Sequence, residues 1–163
     1  MSGLGTPSFP NPNGRSTLGC STFRRLRLRA YRPETAIAEK LHAMAVLGEV
    51  NRRDFFHVYA LAEHNRFDGE ALTRAMRATF ERRRTPIPGS LPLALTRDFA
   101  AIPAKQIQWQ GFLPKNGLAS TPTQLGEVVA RIATFLGPVI AAARDNVVIK
   151  LTWPPGGPWR DAP

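Results

Sequence analysis

The stretch PETAIAEKLHAMAVLGEVNRRDFFHVYAL, residues Pro33 to Leu61, decides the fold because it predicts two short helices in succession. The first is predicted over residues 33–47: Pro33 suits a first helical turn, and Gly48 suits the C-terminal cap. The second is predicted over residues 52–63, with Asp54 in its first turn. Each helix carries an apolar stripe at helical spacing: Ile37, Leu41 and Met44 in the first, and Phe55, Val58 and Ala62 in the second.

The rest of the chain continues this helical pattern. Asp68 is a good N-cap for a third helix, and Thr121-Pro122-Thr123-Gln124 reads as a capping box that starts a long one. Residues 85–95 contain three prolines and predict a connecting loop. Further predicted segments are a helix over residues 104–113, the long helix to about residue 143, and short strands over residues 24–31 and 147–152. The predicted fold class is therefore mainly α, with at most one or two short strands.

Composition limits the classes of protein that are possible. The 163 residues suffice for one domain, and the net charge of +10 favours a polyanionic partner such as RNA, although a merely soluble basic surface explains it equally well. A single cysteine, Cys20, excludes an internal disulfide framework, so a cytoplasmic location is expected. The longest apolar run, near residues 139–143, is too short to span a bilayer, so no membrane partner is expected.

Lys40 and Asp54 are the two candidate catalytic residues. Helix geometry places Lys40 on the rim of the buried stripe, where its ammonium could reach a triphosphate in a cleft, and Glu39 on the opposite side, toward solvent. Asp54 could orient a phosphate-binding cation. The ordinary alternatives are a lysine whose stem lies along the core and an acid favoured by the helix dipole.

Arg52 and Arg53 are candidate substrate-binding residues because guanidinium groups hold phosphate through paired hydrogen bonds; solvated arginines are the commoner explanation. The three histidines have no carboxylate or cysteine beside them at metal-ligand spacing, so no metal site is predicted from this chain.

These residues resemble a known family. The run LRAYRPETAIAEKL, residues 28–41, is similar to the AbiEii/AbiGii nucleotidyltransferase toxins of type IV toxin–antitoxin systems. The likeness extends in order over residues 25–160 and includes the closing segment WPPGGPW, residues 153–159. The fold it implies is the helical C-terminal half of a nucleotidyltransferase-type α+β protein.

The resemblance implies transfer of a nucleotide from an NTP to RNA such as tRNA, with Mg²⁺, and a possible cognate antitoxin partner. By resemblance, Lys40 matches the family's functional lysine, and Asp54 matches the first aspartate of its lysine-aspartate-x-x-aspartate motif. The second aspartate of that motif is replaced by His57, and the segment before the second helix is two residues shorter than in the family.

One element of the family's chemistry is missing from the sequence. Such enzymes need a glycine-serine turn and an aspartate-x-aspartate pair to hold magnesium, and the five aspartates of this chain include no such pair. We therefore expect a truncated or frame-shifted product that neither binds Mg²⁺ nor transfers nucleotides alone. The alternative is a non-catalytic basic helical module that binds RNA or an antitoxin. A stand-alone helical protein of unrelated role is a third hypothesis, favoured only if the resemblance is accidental; a structure in which the first two helices do not meet near Lys40 and Asp54 would support it.

The domain organisation follows from these patterns. Residues 1–23 lack any helical or strand period and predict a disordered or non-native leader that does not resemble the family. Residues 24–160 form the predicted helical domain, and residues 161–163 form a tail.

Overall fold

The computed structural model describes residues 32–46 and 50–163 of the chain. The predicted leader, the predicted strand over residues 24–31 and the Gly48 cap lie outside these residues. Within the described part there are six α-helices: α1 (Pro33–Val46), α2 (Arg52–His64), α3 (Gly69–Arg82), α4 (Arg97–Ala101), α5 (Pro103–Lys115) and α6 (Leu125–Asp145). A single 3₁₀ turn, Leu93–Leu95, precedes α4.

A small antiparallel sheet joins two distant parts of the chain. Its strands are β1 (Phe67–Asp68), β2 (Leu151–Trp153) and β3 (Arg160–Asp161), in that spatial order. Phe67 lies opposite Trp153 across β1 and β2, and Thr152 lies opposite Arg160 across β2 and β3. The mainly helical class with only a minor sheet is confirmed.

The core lies where α1, α2, α3 and α6 pack together. The predicted stripes of α1 and α2 are buried, and Leu72, Met76 and Phe80 of α3 join them. α6 contributes the largest share, because ten of its residues are buried: Leu125, Val128, Val129, Ile132, Phe135, Leu136, Val139, Ile140, Ala142 and Ala143. The helical periods of the sequence therefore identified the faces that form the core.

By length and composition, α6 is apolar enough to cross a membrane. The helix runs over 21 residues and includes Pro138 without a break, although its longest uninterrupted apolar run is the short one near residues 139–143. In the structure its apolar face packs against α2, α3 and the 3₁₀ turn, as the central helix of a folded core.

The beginning of α6 differs from the prediction. The helix starts at Leu125 and not at residue 121, and Gln124 makes no side-chain cap. Gln106 of α5 takes over this role: its Oε1 accepts a hydrogen bond of 2.9 Å from Leu125 N, and its Nε2 donates one of 3.0 Å to Thr123 O. A capping residue from another helix has no local sequence signal, which is why the spacing misplaced the start.

The C-terminal segment closes over α2 and α6 through two tryptophans. Trp153 Nε1 donates to Ala62 O at 2.8 Å, and Trp159 Nε1 donates to Phe135 O at 2.9 Å. Arg131 of α6 supports the same segment, since its Nη1 donates to Gly156 O at 3.0 Å. Both tryptophans therefore pack and cap the end of the fold.

Candidate functional site

Three ion pairs hold α1 against its neighbours, and they come from two adjacent residues, Glu39 and Lys40. Lys40 Nζ lies 2.6 Å from Asp54 Oδ1 in the first turn of α2. Glu39 bonds to Arg82 and Arg83 in the last turn of α3, with its Oε2 2.6 Å from Arg83 Nη2. The expectation that Glu39 points into solvent was wrong, because α3 packs along the face of α1 opposite Lys40 and brings its terminal arginines there.

The contact between Lys40 and Asp54 joins residues fourteen positions apart. Their side chains are 23% and 24% exposed, so both are largely enclosed and still reach solvent. A structure in which α1 and α2 do not meet at these residues would have supported the hypothesis of an unrelated helical protein, and the observed contact removes that support.

Asp54 is placed by a well-formed helix start. Asn51 is the N-cap of α2, and its Oδ1 accepts a hydrogen bond of 3.0 Å from Arg53 N. The Asn51 backbone carbonyl accepts from Asp54 N at 2.9 Å. This fixes the first turn, so the aspartate is presented at the positive end of the helix dipole with its carboxylate toward Lys40.

His57 lies one turn along α2 from Asp54 and is half-buried. Partial burial lowers the pKa of His57 below its ordinary value. The positive charge of Lys40 lowers this pKa as well, whereas the negative charge of Asp54 raises it. The positive charge of Arg53 lowers it slightly further. Three charged side chains therefore act on the His57 ring at this corner of α1 and α2.

This coupling makes a direct prediction. In an NMR titration of the ring protons, Lys40→Met should raise the pKa of His57, because a positive charge is removed, and Asp54→Asn should lower it further. Because the folded-state pKa is depressed, the neutral ring favours the fold above the unfolded value of about 6.5, and this contribution is lost as the pH falls through the folded value. Lys105→Met, which removes a lysine that lies over the Phe99 ring, should leave the titration unchanged. Equal curves for all variants would contradict the geometry.

Arg52 and Arg53 are both exposed, but their side chains lie in different surroundings. Arg53 acts electrostatically on His57. Arg52 instead lines a groove of about 360 Å³ between the start of α2 and one face of α5. The two predicted substrate-binding arginines are therefore adjacent in sequence but have different surroundings, and the groove's residues on α5 had no signal in the sequence.

The donor groups around Asp54 do not fit Mg²⁺. Magnesium takes six oxygen ligands in octahedral geometry, commonly one or two carboxylates with water and phosphate oxygens. Asp54 offers one carboxylate, of which one oxygen holds Lys40, and the nearest further titratable groups are a histidine and cations. Across residues 32–46 and 50–163, no three of His, Cys, Asp and Glu cluster as metal ligands.

The fold and the site define a small helical domain with a partly exposed lysine–aspartate pair between its first two helices. The sequence matches the family described as nucleotidyl transferase AbiEii toxin, type IV TA system, over residues 6–136. Because the match covers more than half of the chain, the chain belongs to this family. No curated protein and no solved structure matches it.

Membership in the family indicates nucleotide substrates and an antitoxin partner, and such transferases generally use a divalent metal. The match begins at residue 6, so the expectation that residues 1–23 share nothing with the family is wrong for most of that segment. It ends within α6, so the closing tryptophan segment, which the resemblance included, lies beyond the matched residues.

Proposed function

We propose that Lys40 and Asp54 form the triphosphate-binding part of a nucleotidyltransferase site, with Lys40 contacting the phosphates and Asp54 holding the ammonium in position. The observation that carries this proposal is the 2.6 Å contact between the two side chains, which remain open to solvent on one side.

The chemistry of the pair suits a phosphate ligand. An ammonium has three N–H donors, so the bond to Asp54 leaves others that can donate to phosphate oxygens. The bond also restricts a flexible side chain before the ligand arrives, which reduces the entropy lost on binding. Arg53, at the same end of α2, adds a second positive charge that attracts the triphosphate.

Binding of this kind is not sufficient for nucleotide transfer. A divalent ion, when bound, neutralises the triphosphate and positions it for attack. The one pair of acidic residues that are two positions apart is Asp68 and Glu70. Asp68 is occupied as the N-cap of α3, where its Oδ1 accepts from Ala71 N at 2.8 Å. We therefore propose that these 163 residues do not transfer nucleotides alone, and that the metal-holding carboxylates come from other residues.

The acceptor that we assign is an RNA such as tRNA, and the location is the cytoplasm. The basic charge of the chain and its single cysteine support these two assignments.

The first test measures nucleotide binding. Isothermal titration with each of the four ribonucleoside triphosphates should show that Lys40→Ala weakens affinity by about 10–100-fold, the effect of losing a charge-assisted hydrogen bond of about 1.5–3 kcal/mol. Lys150→Ala is the matched control, because it removes an exposed lysine beside β2 and should leave affinity unchanged. Equal affinities for Lys40→Ala and the wild-type chain would refute the proposed role of Lys40.

The second test measures transfer. The purified chain, incubated with α-labelled nucleotide, total tRNA and Mg²⁺, should leave the tRNA unlabelled. Clear magnesium-dependent labelling that Lys40→Ala abolishes would support the site and overturn the proposed inactivity.

A second candidate function is a non-catalytic module that binds RNA or a cognate antitoxin. It is favoured by the exposure of several arginines, among them Arg66, Arg74 and Arg84. A gel shift with tRNA and with the antitoxin at physiological salt tests it, and loss of all binding would exclude it.

A further inference from the structure

The groove that Arg52 lines lies between α2 and α5 and includes neither Lys40 nor Asp54 in its lining. It has a volume of about 360 Å³ and is lined by Arg52, Ile107, Gln108, Gly111, Phe112, Lys115 and Asn116. Its walls are the start of α2 and the exposed face of α5, and Phe56 of α2 meets Phe112 of α5 there with ring centroids 6.4 Å apart.

The lining of this groove has a consistent chemistry. The lining residues are two cations, two carboxamides, one aromatic residue, Ile107 and Gly111, and none of them is acidic. Cations pair with phosphate, carboxamides can both donate to and accept from the edges of bases, and aromatic faces stack on bases. The groove's volume is near the lower limit of the usual range for ligand-binding pockets. It therefore suits a single nucleotide unit better than the surface of a folded macromolecule.

The frame of the groove is rigid. Trp109, two residues before Gly111 on α5, is fully buried, and its Nε1 donates to Pro122 O at 3.0 Å. Its ring stacks on Phe112 with centroids 5.7 Å apart. The phenyl ring at the groove is therefore held from behind by a tryptophan that is itself anchored.

We propose that this groove binds a single-stranded RNA segment, with Arg52 and Lys115 on the phosphates and Gln108 and Asn116 on a base. This inference rests on the proposed function in one respect: the RNA bound in the groove is the acceptor of the nucleotide that Lys40 holds. It assigns Arg52 to the RNA and leaves Arg53 with the nucleotide.

A groove-filling variant tests the proposal without changing the charge. Gly111 is exposed, and a Cβ built on it meets nothing within 4 Å, so Gly111→Leu can place a side chain in the groove without disturbing the core. Leucine also favours a helix over glycine, so folding should not suffer. Fluorescence anisotropy with a labelled six-nucleotide RNA should show at least a ten-fold loss of affinity. Gly126→Leu, an equally open and exposed position on α6, is the matched control and should bind normally.

A charge-matched pair of double variants tests the phosphate contacts. Arg52→Ala with Lys115→Ala should weaken RNA binding and reduce the slope of log affinity against log salt by about 1.4, as expected for two lost phosphate contacts on a single strand. Arg160→Ala with Lys150→Ala removes the same charge at two exposed positions outside the groove and should leave the slope unchanged. Equal losses for both doubles would show diffuse attraction and overturn the proposal.

Two further outcomes separate this proposal from the proposed function and from a protein ligand. Lys40→Ala should keep RNA affinity, and Gly111→Leu should keep nucleotide affinity. The two measurements can therefore refute one proposed site while leaving the other in place. A hexaglutamate peptide should bind weakly and should not respond to Gly111→Leu. If it binds as tightly as the RNA and loses affinity in that variant, the groove is an acidic-peptide site and the RNA assignment is wrong.

Discussion

Replacing Trp153 by alanine is expected to lower the free energy of unfolding by about 3–5 kcal/mol, the cost of removing a large buried aromatic ring. Trp153 is fully buried, and its ring centroid lies 4.8 Å from that of Phe135 and 5.4 Å from that of Trp159. It also holds β2 against β1, opposite Phe67. Since domains of this size are stable by about 5–15 kcal/mol, the variant should lose a large fraction of its stability. Urea unfolding followed by circular dichroism measures the change.

Trp153→Phe is the control that separates ring packing from the hydrogen bond. The Ala62 carbonyl accepts from Trp153 Nε1 and also, at 3.1 Å, from Gly156 N, so losing the indole donor leaves that oxygen with a partner. The phenylalanine variant should therefore be destabilised clearly less than the alanine variant. A Trp153→Ala protein within about 1 kcal/mol of the wild-type stability would show that the segment after α6 contributes little to the fold.

The helices and their buried faces could be predicted from the sequence because they depend on local spacing. Ile37, Leu41 and Met44 recur at helical intervals, and such a pattern fixes which side of a helix becomes buried whatever lies opposite. Asp68 could be identified as the start of α3 for a similar reason, since an N-cap bond spans only three residues. The five-residue helix α4 and the 3₁₀ turn were not predicted, because elements of that length leave no period to detect.

Contacts between helices could not be predicted in this way. The same helical wheel that put Lys40 on the rim put Glu39 in solvent, yet Glu39 is bound by two arginines of α3. Its burial alone would raise its pKa, and the hydrogen bonds and charges of Arg83 and Arg82 outweigh that and lower it. A helical wheel shows the direction in which each side chain of one helix points, but it does not show which other helix packs against that side. The family resemblance named Lys40 and Asp54 as site residues, and geometry along one helix could not have shown that they pair.

The residues of the two proposed sites also differ in whether the sequence alone could identify them. Lys40, Asp54 and Arg53 could be named in advance because they stand in or beside a motif. Lys115, Gln108 and Asn116 could not be, because they contribute to a groove only when α5 packs beside the start of α2. A surface lined by residues from two elements has no linear spacing, so the structure is needed to find it.

Replacing Gly157 by alanine is expected to cost about 2–5 kcal/mol, from backbone strain and overpacking together. Gly157 has a φ of +67°, which an L-residue with a Cβ rarely adopts. An added Cβ would also lie only 2.5 Å from Trp153 Cη2 and against Cζ2 of the same ring. That ring cannot move aside easily, because it is fully buried and anchored to Ala62 O.

Gly117→Ala is the matched control, and it isolates the steric part of the effect. Gly117 has nearly the same φ, +66°, but an added Cβ there meets nothing within 4 Å. Its substitution should therefore cost only the strain of the left-handed backbone, about 1–2 kcal/mol. The difference between the two variants, measured by urea unfolding under identical conditions, reports the clash with Trp153. In the Trp153→Ala background that difference should shrink strongly, because the obstructing ring is gone. If the two glycine variants lose equal stability in the wild-type background, the close packing of Gly157 on the tryptophan does not contribute to the fold.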